Sequence, residues 1–524
     1  MSTTTPAWTP PTGLYNATVD MIDRNVVEGR GGKLAVVDPK SQLTYAQLSE
    51  RVDRFANTIP RLGIAREKRI ALIMLDTVDL PAVFWGAIKA GVVPIPINTL
   101  LPPETWGYMI EDSRAAAVVI SDELYDRAAP VIEEIQQRRH LHVIVDGRQG
   151  DQKLISLQTL VAGSAPKADA VDTHADDVAF WLYSSGSTGA PKGTCHVQSS
   201  PMATARLFGQ GILGITESDV VFSAAKLFFA YGLGNGMSFP FAVGATAVLL
   251  PDRPTPDSVI ATMHTHNPTI FYGVPTLYAA MLAHPGLTRG AGSNRLRLCV
   301  SAGEALPEDI GNRWQQAVGA EIVDGIGSTE LLHIFVSNKP GKVRYGSSGV
   351  PVPGYEAKLL DDDGNAIAQG EIGELVIKGP SAAQGYWLQR EKSRRTFRGE
   401  WTHTGDKYRI GEDGNYYYCG RTDDMFKVSG IWVSPFEVES ALVSHKAVLE
   451  AAVIGKEDTD GLIKPKAFLV LKPGLNADAR LLDELKEHVK TSAGAWKYPR
   501  WMEVRSELPK TATGKIQRFK LRQE

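Results

Sequence analysis

Eleven residues, Tyr183-Ser184-Ser185-Gly186-Ser187-Thr188-Gly189-Ala190-Pro191-Lys192-Gly193, contain little besides small hydroxyl and glycine residues ahead of one lysine. Such a string can hold phosphate. Glycines let backbone N–H groups turn inward, hydroxyls add donors, and the lysine supplies a charge that can follow a phosphoryl group. A flexible Gly/Ser turn is the plainer reading of most such strings. The order of these residues and the closing Pro-Lys-Gly favour the phosphate site. It is not a Walker loop: Pro191 precedes Lys192, and the β-prone Thr194-Cys195-His196-Val197 follows where that motif would enter a helix.

Four more runs place acids and bases beside glycines: Gly327-Ser328-Thr329-Glu330, Trp401-Thr402-His403-Thr404-Gly405-Asp406, Gly420-Arg421-Thr422-Asp423-Asp424 and Pro509-Lys510-Thr511-Ala512-Thr513-Gly514-Lys515. Read singly, each has an ordinary explanation. Glu330 could be an acid at a helix start, Asp406 a turn residue, and Lys515 a solvated charge in a basic tail. In this order, across about two thirds of the chain, the runs resemble the signatures of the adenylate-forming superfamily of acyl-CoA synthetases, adenylation domains and luciferases.

That resemblance implies a reaction. A carboxylate cannot acylate a thiol until its oxygen becomes part of a good leaving group, and joining it to AMP supplies one. Attack on the α-phosphate of ATP sets anion against anion, so catalysis is positioning and charge neutralisation. By resemblance, Ser184, Ser185, Gly186, Ser187, Thr188, Gly189 and Lys192 wrap the ATP phosphates. Thr329 and Glu330 act at the reacting centre, Glu330 holding Mg²⁺, and Lys515 bridges the carboxylate and the α-phosphate. Gly303, Glu304, Asp324, Gly325, Ile326, Gly327 and Ser328 line the AMP site, with Asp406 on the ribose and Arg421 beside it. Asp423 is the expected hinge, and Lys427, Ser429 and Gly430 border a tunnel for CoA. Two departures stand out: Ile326 occupies a place that is aromatic in many members, and Ser429-Gly430-Ile431 stands where many carry a double glycine.

For the acid, Lys226-Leu227-Phe228-Phe229-Ala230-Tyr231-Gly232-Leu233-Gly234-Asn235 and Glu330-Leu331-Leu332-His333-Ile334-Phe335 resemble pocket segments of benzoate-type aryl-CoA ligases. Phe228, Ala230, Tyr231, Gly232, Gly327, His333 and Ile334 would line a flat slot for one ring, with His333 or Tyr231 offering a polar contact. Ordinary core aromatics are the alternative. If the segment is extended, Phe228 and Phe229 cannot both face one pocket. The expected substrates are benzoate or a relative such as 2-aminobenzoate, with ATP and CoA. Loading of a carrier-protein thiol and a non-catalytic nucleotide-binding regulator are the rival readings.

The elements that must position these residues read as α/β. Arg69–Met74, Ala117–Ile120 and His142–Val145 are buried-strand runs, Leu80–Ala90 is helical, and the prolines of Val92–Ile97 suggest an edge strand. Thr44 is a candidate N-cap for a helix with Leu48, Val52, Phe55 and Ile59 on one stripe. Strand runs return at Ala247–Leu250, Thr269–Tyr272, Leu298–Ser301 and Ile322–Asp324. From about residue 346 the texture turns to Gly/Asp hairpins, as in a β-barrel-like subdomain. The expected division is a tail over 1–15, a large domain over 16–422 with its β-rich part at 346–422, and a small mobile α+β domain over 423–524 carrying Lys515. A net charge of −3, from 56 basic and 59 acidic residues, offers no field for nucleic acid or an anionic membrane. Three separated cysteines argue against a disulfide framework and a zinc site. With no apolar run of membrane-spanning length, the expected setting is the cytoplasm. Monomer and homodimer both stay open.

Overall fold

A computed structural model of the protein describes all residues except 1–7, 149–153, 185–189, 423, 429–430, 460, 495, 511–515 and 524. Two sheets dominate. In the first, the strands run in the order Val93–Pro96, Arg69–Ile73, Ala117–Ser121, His142–Asp146 and Ile155–Ser156, all parallel. The proline-bearing strand lies at the edge, where a missing N–H donor removes no ladder bond. The Tyr45–Arg61 helix begins at Thr44, whose side chain accepts from the Gln47 N–H while Gln47 bonds back to the Thr44 N–H. Its Leu48, Val52, Phe55 and Ile59 are buried, as the stripe predicts.

The second sheet orders Val350–Pro351, Ile334–Ser337, Ile322–Gly327, Leu298–Ser301, Ile270–Gly273, Val220–Ser223, Thr246–Val248, Leu34–Val37 and Gln42–Thr44. Its middle is parallel and its two ends antiparallel. Segments following Ser223, Ser301 and Gly327 therefore emerge at the carboxyl ends of neighbouring strands, the customary place for ligands in such sheets.

A smaller antiparallel sheet joins Val178–Ser184, Lys192–Val197 and Gly385–Tyr386. The hairpins after residue 346 build a further antiparallel sheet in which Trp401–Ile410 pairs with Gly373–Lys378 on one side and with Phe397–Arg398 and Tyr416–Arg421 on the other. Among the described residues no pairing closes it into a ring. Beyond it, the strands Val448–Glu457, Ile463–Leu471 and Trp501–Val504 form a sheet, the Pro435–Ser444 helix packs on the first of them, and the Ala479–Ala493 helix packs on that helix. Their buried side chains form two clusters of their own, drawn from residues 426 onward. Among the described residues no helix is long and apolar enough to cross a membrane.

Candidate active site

The two ends of the run expected to hold phosphate lie on paired strands. Ser184 pairs with Lys192 and Tyr183 with Gly193, so the two strands deliver residues 184 and 192 side by side, with 185–189 outside the described residues. Ser184 Oγ is buried without a hydrogen-bond partner among the described residues. Lys192 Nζ donates to the Tyr386 hydroxyl at 2.8 Å, and that hydroxyl donates to Glu330 Oε1 at 2.7 Å. The ammonium itself stands 3.5 Å from the same carboxylate oxygen. Sequence reasoning missed Tyr386. It lies 194 positions from Lys192 and arrives only because Gly385–Tyr386 pairs with Lys192–Val197.

Glu330 sits in the three-residue 3₁₀ turn Thr329–Leu331, after the extended Ser328. A single turn has too few aligned peptides for a helix dipole to explain the acid. Three bonds hold the turn: His196 Nε2 donates to the Thr329 carbonyl at 2.8 Å, Ala383 N–H to the Glu330 carbonyl at 2.8 Å, and Ser381 Oγ to the Leu331 carbonyl at 2.7 Å. Burial pushes His196 down to about 4, so it is neutral. Burial would raise the Glu330 carboxyl, but the Lys192 charge and the Tyr386 hydroxyl outweigh it and hold Glu330 below the usual carboxylate range. At Lys192 the balance reverses, and burial draws the ammonium below the ordinary lysine value despite Glu330.

On the antiparallel sheet Asp406 faces Arg421 across the ladder, Oδ1 to Nη1 at 3.1 Å. Arg421 also donates to the Thr404 carbonyl at 2.9 Å. Gly405, at φ 69°, permits this: a Cβ there would stand 2.9 Å from the Arg421 guanidinium. The Arg421 charge reaches Lys192 and Tyr386, which links this pair to the Lys192–Tyr386–Glu330 contacts. Gly303 and Glu304 follow the Leu298–Ser301 strand, Gly303 at φ 96°. Asp324 is buried, and burial pushes its carboxyl up to about 8 despite Ser301 and the amides of Leu306 and Gly325. At neutral pH it is protonated and can donate.

Gly325 and Gly327 have a packing reason. A Cβ on Gly325 would meet the Val336 carbonyl at 2.7 Å, and one on Gly327 the His333 carbonyl at 2.7 Å. The antiparallel neighbour Ile334–Ser337 approaches that closely, and Ile326 pairs with Val336 between them.

The aryl segment is not extended. Lys226–Phe229 is a turn, closed by a Phe229 N–H to Lys226 carbonyl bond of 3.0 Å, and the Ala230–Leu233 helix follows. Phe228 is buried and Phe229 half-buried, their rings meeting edge to face at 4.5 Å. Tyr231 donates to the Val300 carbonyl at 2.9 Å and reaches the Gly273 carbonyl at 3.2 Å, so its hydroxyl is spent on the main chain. The Gly234–Ser238 π-helical turn carries Asn235, whose Oδ1 accepts from His333 Nε2 at 3.0 Å. His333 is 2 % exposed and packs on the rings of Phe239, Phe208 and Tyr231 at 4.4, 5.2 and 5.5 Å. Burial holds its imidazole down at about 3. A Cβ on Gly234 would come within 2.4 Å of this ring, which accounts for glycine there. Ala230 is buried on the helix, a Cβ on Gly232 would strike the Lys226 carbonyl, and the Ile334 side chain stands 2.8 Å from where a Gly325 Cβ would lie.

Lys515, Asp423, Ser429 and Gly430 lie outside the described residues. Lys427 belongs to the Phe426–Val428 strand, paired with Ile431–Val433. Next to the expected hinge, Asp424 receives Arg522 at 2.6 Å and Arg518 at 3.5 Å, and Arg518 also holds Glu439.

The chain matches the family model of AMP-binding enzymes over residues 23–387 and that of the AMP-binding enzyme C-terminal domain over 437–515. It is 56 % identical over 510 residues to a benzoate–CoA ligase of Thauera aromatica, covering 97 % of this chain and 96 % of that one. To a 4-hydroxybenzoate–CoA/benzoate–CoA ligase of Rhodopseudomonas palustris it is 55 % identical over 515 residues, 97 % of this chain and 94 % of the relative. Its fold superposes with TM-score 0.93 on the crystal structure of an anthranilate CoA ligase in complex with anthranoyl-AMP, at 44 % identity, covering 98 % of this chain and 97 % of that one. The chain belongs to the adenylate-forming AMP-binding enzymes and, within them, to the aryl-CoA ligases of the benzoate type.

Proposed function

We propose that the preferred acid is benzoate or a small ring-substituted benzoate such as 2-aminobenzoate. The carboxylate attacks the α-phosphate of ATP, forming aryl-AMP and releasing pyrophosphate; the thiolate of CoA then attacks the acyl carbon and AMP leaves. The observation that carries this reading is the buried neutral cluster at His333, which would wall the slot: an uncharged imidazole, its Nε2–H given to Asn235, set among the rings of Phe208, Phe239 and Tyr231. Such a wall suits the face of one flat ring and gives a carboxylate no competing cation. The relatives named for benzoate and the neighbour holding anthranoyl-AMP support it.

On the phosphate side Lys192 would receive the β- and γ-phosphates, with the 184–189 segment around them, while Asp406 and Arg421 take the ribose end and Gly303, Glu304, Asp324 and Ser328 border the nucleotide. Glu330, an ionised oxygen ligand in a half-buried place, fits Mg²⁺, which uses one or two carboxylates and otherwise phosphates and water. Bound there, Mg²⁺ would neutralise charge on the phosphates. Thr329 would reach the reacting centre, and Lys515 the α-phosphate during adenylation. Residues 423–524 would form a lid turning about Asp423, so that Lys427, Ser429 and Gly430 face the arriving thiol in the second step.

The test is pyrophosphate release and thioester formation with benzoate, 2-aminobenzoate, 4-hydroxybenzoate and hexanoate, each with and without free CoA. Benzoate or 2-aminobenzoate should lead by at least tenfold in kcat/KM over hexanoate, with thioester formed on CoA. Equal rates for hexanoate and benzoate would overturn the ring-sized slot. Pyrophosphate release with no thioester on free CoA would point to a carrier-protein thiol instead.

A further inference from the structure

Beneath the turn that begins the aryl segment lie two buried charges outside the catalytic constellation. Lys226 is 7 % and Asp76 3 % exposed, and Nζ stands 3.3 Å from Asp76 Oδ2. Lys226 Nζ donates to the carbonyls of Leu250, Pro251 and Asp252 at 2.5, 2.9 and 3.3 Å. Asp76 Oδ2 also accepts the Leu227 N–H at 3.3 Å, while its Oδ1 is buried without a partner among the described residues.

An ion pair in such a place is a weak source of stability. Desolvation offsets most of the attraction, and apolar residues of similar volume commonly serve as well or better. Its location explains it better than its energy does. Asp76 follows the Arg69–Ile73 strand of one sheet, and the three carbonyls follow the Thr246–Val248 strand of the other. Lys226 is thus tied to both sheets, and Leu227 is tied to Asp76 through its N–H. The Lys226 carbonyl closes the turn on Phe229, and Gly232 packs so tightly on it that a Cβ would come to 2.0 Å. Fixing Lys226 therefore fixes the start of the helix that presents Tyr231.

We propose that the Asp76–Lys226 pair is a positioning device that sets the geometry of the aryl slot, and with it the enzyme's discrimination among carboxylic acids. Both residues are buried and bonded within the fold, and they act through the turn and the Tyr231 helix. The inference rests on the aryl-acid reading above.

Single replacements would leave one buried charge unpaired, so the test uses neutral pairs: Lys226→Met/Asp76→Leu, and Lys226→Met/Asp76→Asn, whose amide oxygen can still accept the Leu227 N–H. In the Met/Leu variant the KM for benzoate should rise at least tenfold and the preference for benzoate over hexanoate should fall at least tenfold, while the KM for ATP stays within about twofold. The Met/Asn variant should recover at least threefold of the lost preference. Unchanged acid preference in folded Met/Leu protein, or KM values for ATP and benzoate rising together, would overturn the proposal. If Met/Leu does not accumulate in folded form, Met/Asn against wild type decides: a rise confined to the KM for benzoate supports the device, and no change or a shared rise overturns it. Failure of the wild type to favour aryl acids in the same assay would instead refute the functional reading.

Discussion

The two ends of the proposed site present opposite electrostatic conditions. On the phosphate side Lys192, Tyr386 and Glu330 form a chain of short polar contacts that keeps two opposite charges ready for an anionic ligand. On the proposed acid side stand Asn235 and Tyr231, neutral by type, and His333, which burial keeps uncharged while its Nε2–H is given to Asn235. Reaction requires both: phosphate repulsion must be cancelled by charge, whereas a ring is best selected by shape, where a stray cation would bind the carboxylate in the wrong place. Residue type alone therefore does not separate catalysis from recognition. Burial and bonding do.

The contrast can be broken most severely at its charged end. Opposite unit charges about 4 Å apart interact by roughly 4 kcal/mol at an effective dielectric near 20, about a thousandfold in rate. Lys515→Ala should lose pyrophosphate release by that order while still making thioester from preformed aryl-AMP and CoA. Equal loss in both assays would remove Lys515 from the adenylation step. Glu330→Gln keeps the shape and removes the charge; kcat for pyrophosphate release should fall about a hundredfold, roughly 2.7 kcal/mol, and the Mg²⁺ concentration giving half-maximal rate should rise. A fall in rate with no change in Mg²⁺ dependence would leave Glu330 as a partner of Lys192 only.

At the neutral end the effects should be smaller and fall on selectivity. His333→Ala opens a cavity and strips Asn235 of its donor, a loss of about 2 kcal/mol. Preference between benzoate and its ring-substituted relatives should shift about thirtyfold, with the KM for ATP within twofold. A larger change in the KM for ATP would merge the two ends that the proposed site keeps apart.

The mildest test uses pH. His333 is held down at about 3 in the folded chain against about 6.5 unfolded. The unfolded state therefore takes up its proton first, and folding stability falls as pH drops from about 6.5 toward 3. The slope from this one group is about 1.4 kcal/mol per pH unit. Asp324, pushed up to about 8, acts in the opposite sense between about pH 4 and 8, losing stability as pH rises. In the difference between wild type and His333→Ala, Asp324 cancels. Urea titrations at pH 6 and pH 5 should show the wild type's advantage over the variant shrinking by about that amount. A constant difference would mean that His333 is charged in the folded protein.

Much of this was legible in the chain itself. Buried-strand runs, the Thr44 cap and the stripe of Leu48, Val52, Phe55 and Ile59 are local properties of adjacent residues, and each became the element it predicts. The glycine-rich signatures were equally readable, because handling phosphate demands small residues and charge in a short span. So was Asp406 beside Arg421, on resemblance, whereas the meeting of Lys192 with Glu330 was not.

What the linear order could not show is which side chains meet across long separations. Tyr386 enters the phosphate chain through a two-residue strand pairing. His196 secures the Glu330 turn from 133 positions away, and Asn235 fixes the tautomer of His333 from 98. Nor does the sequence reveal that Tyr231 spends its hydroxyl on the ends of two strands, or that Gly234, Gly325 and Gly327 are small because another chain segment lies against them. Residue types and spacing determined the reaction class, since that chemistry needs particular groups wherever they sit. Tertiary structure decided which groups are charged and which neutral, because desolvation and hydrogen bonding are set by neighbours in space.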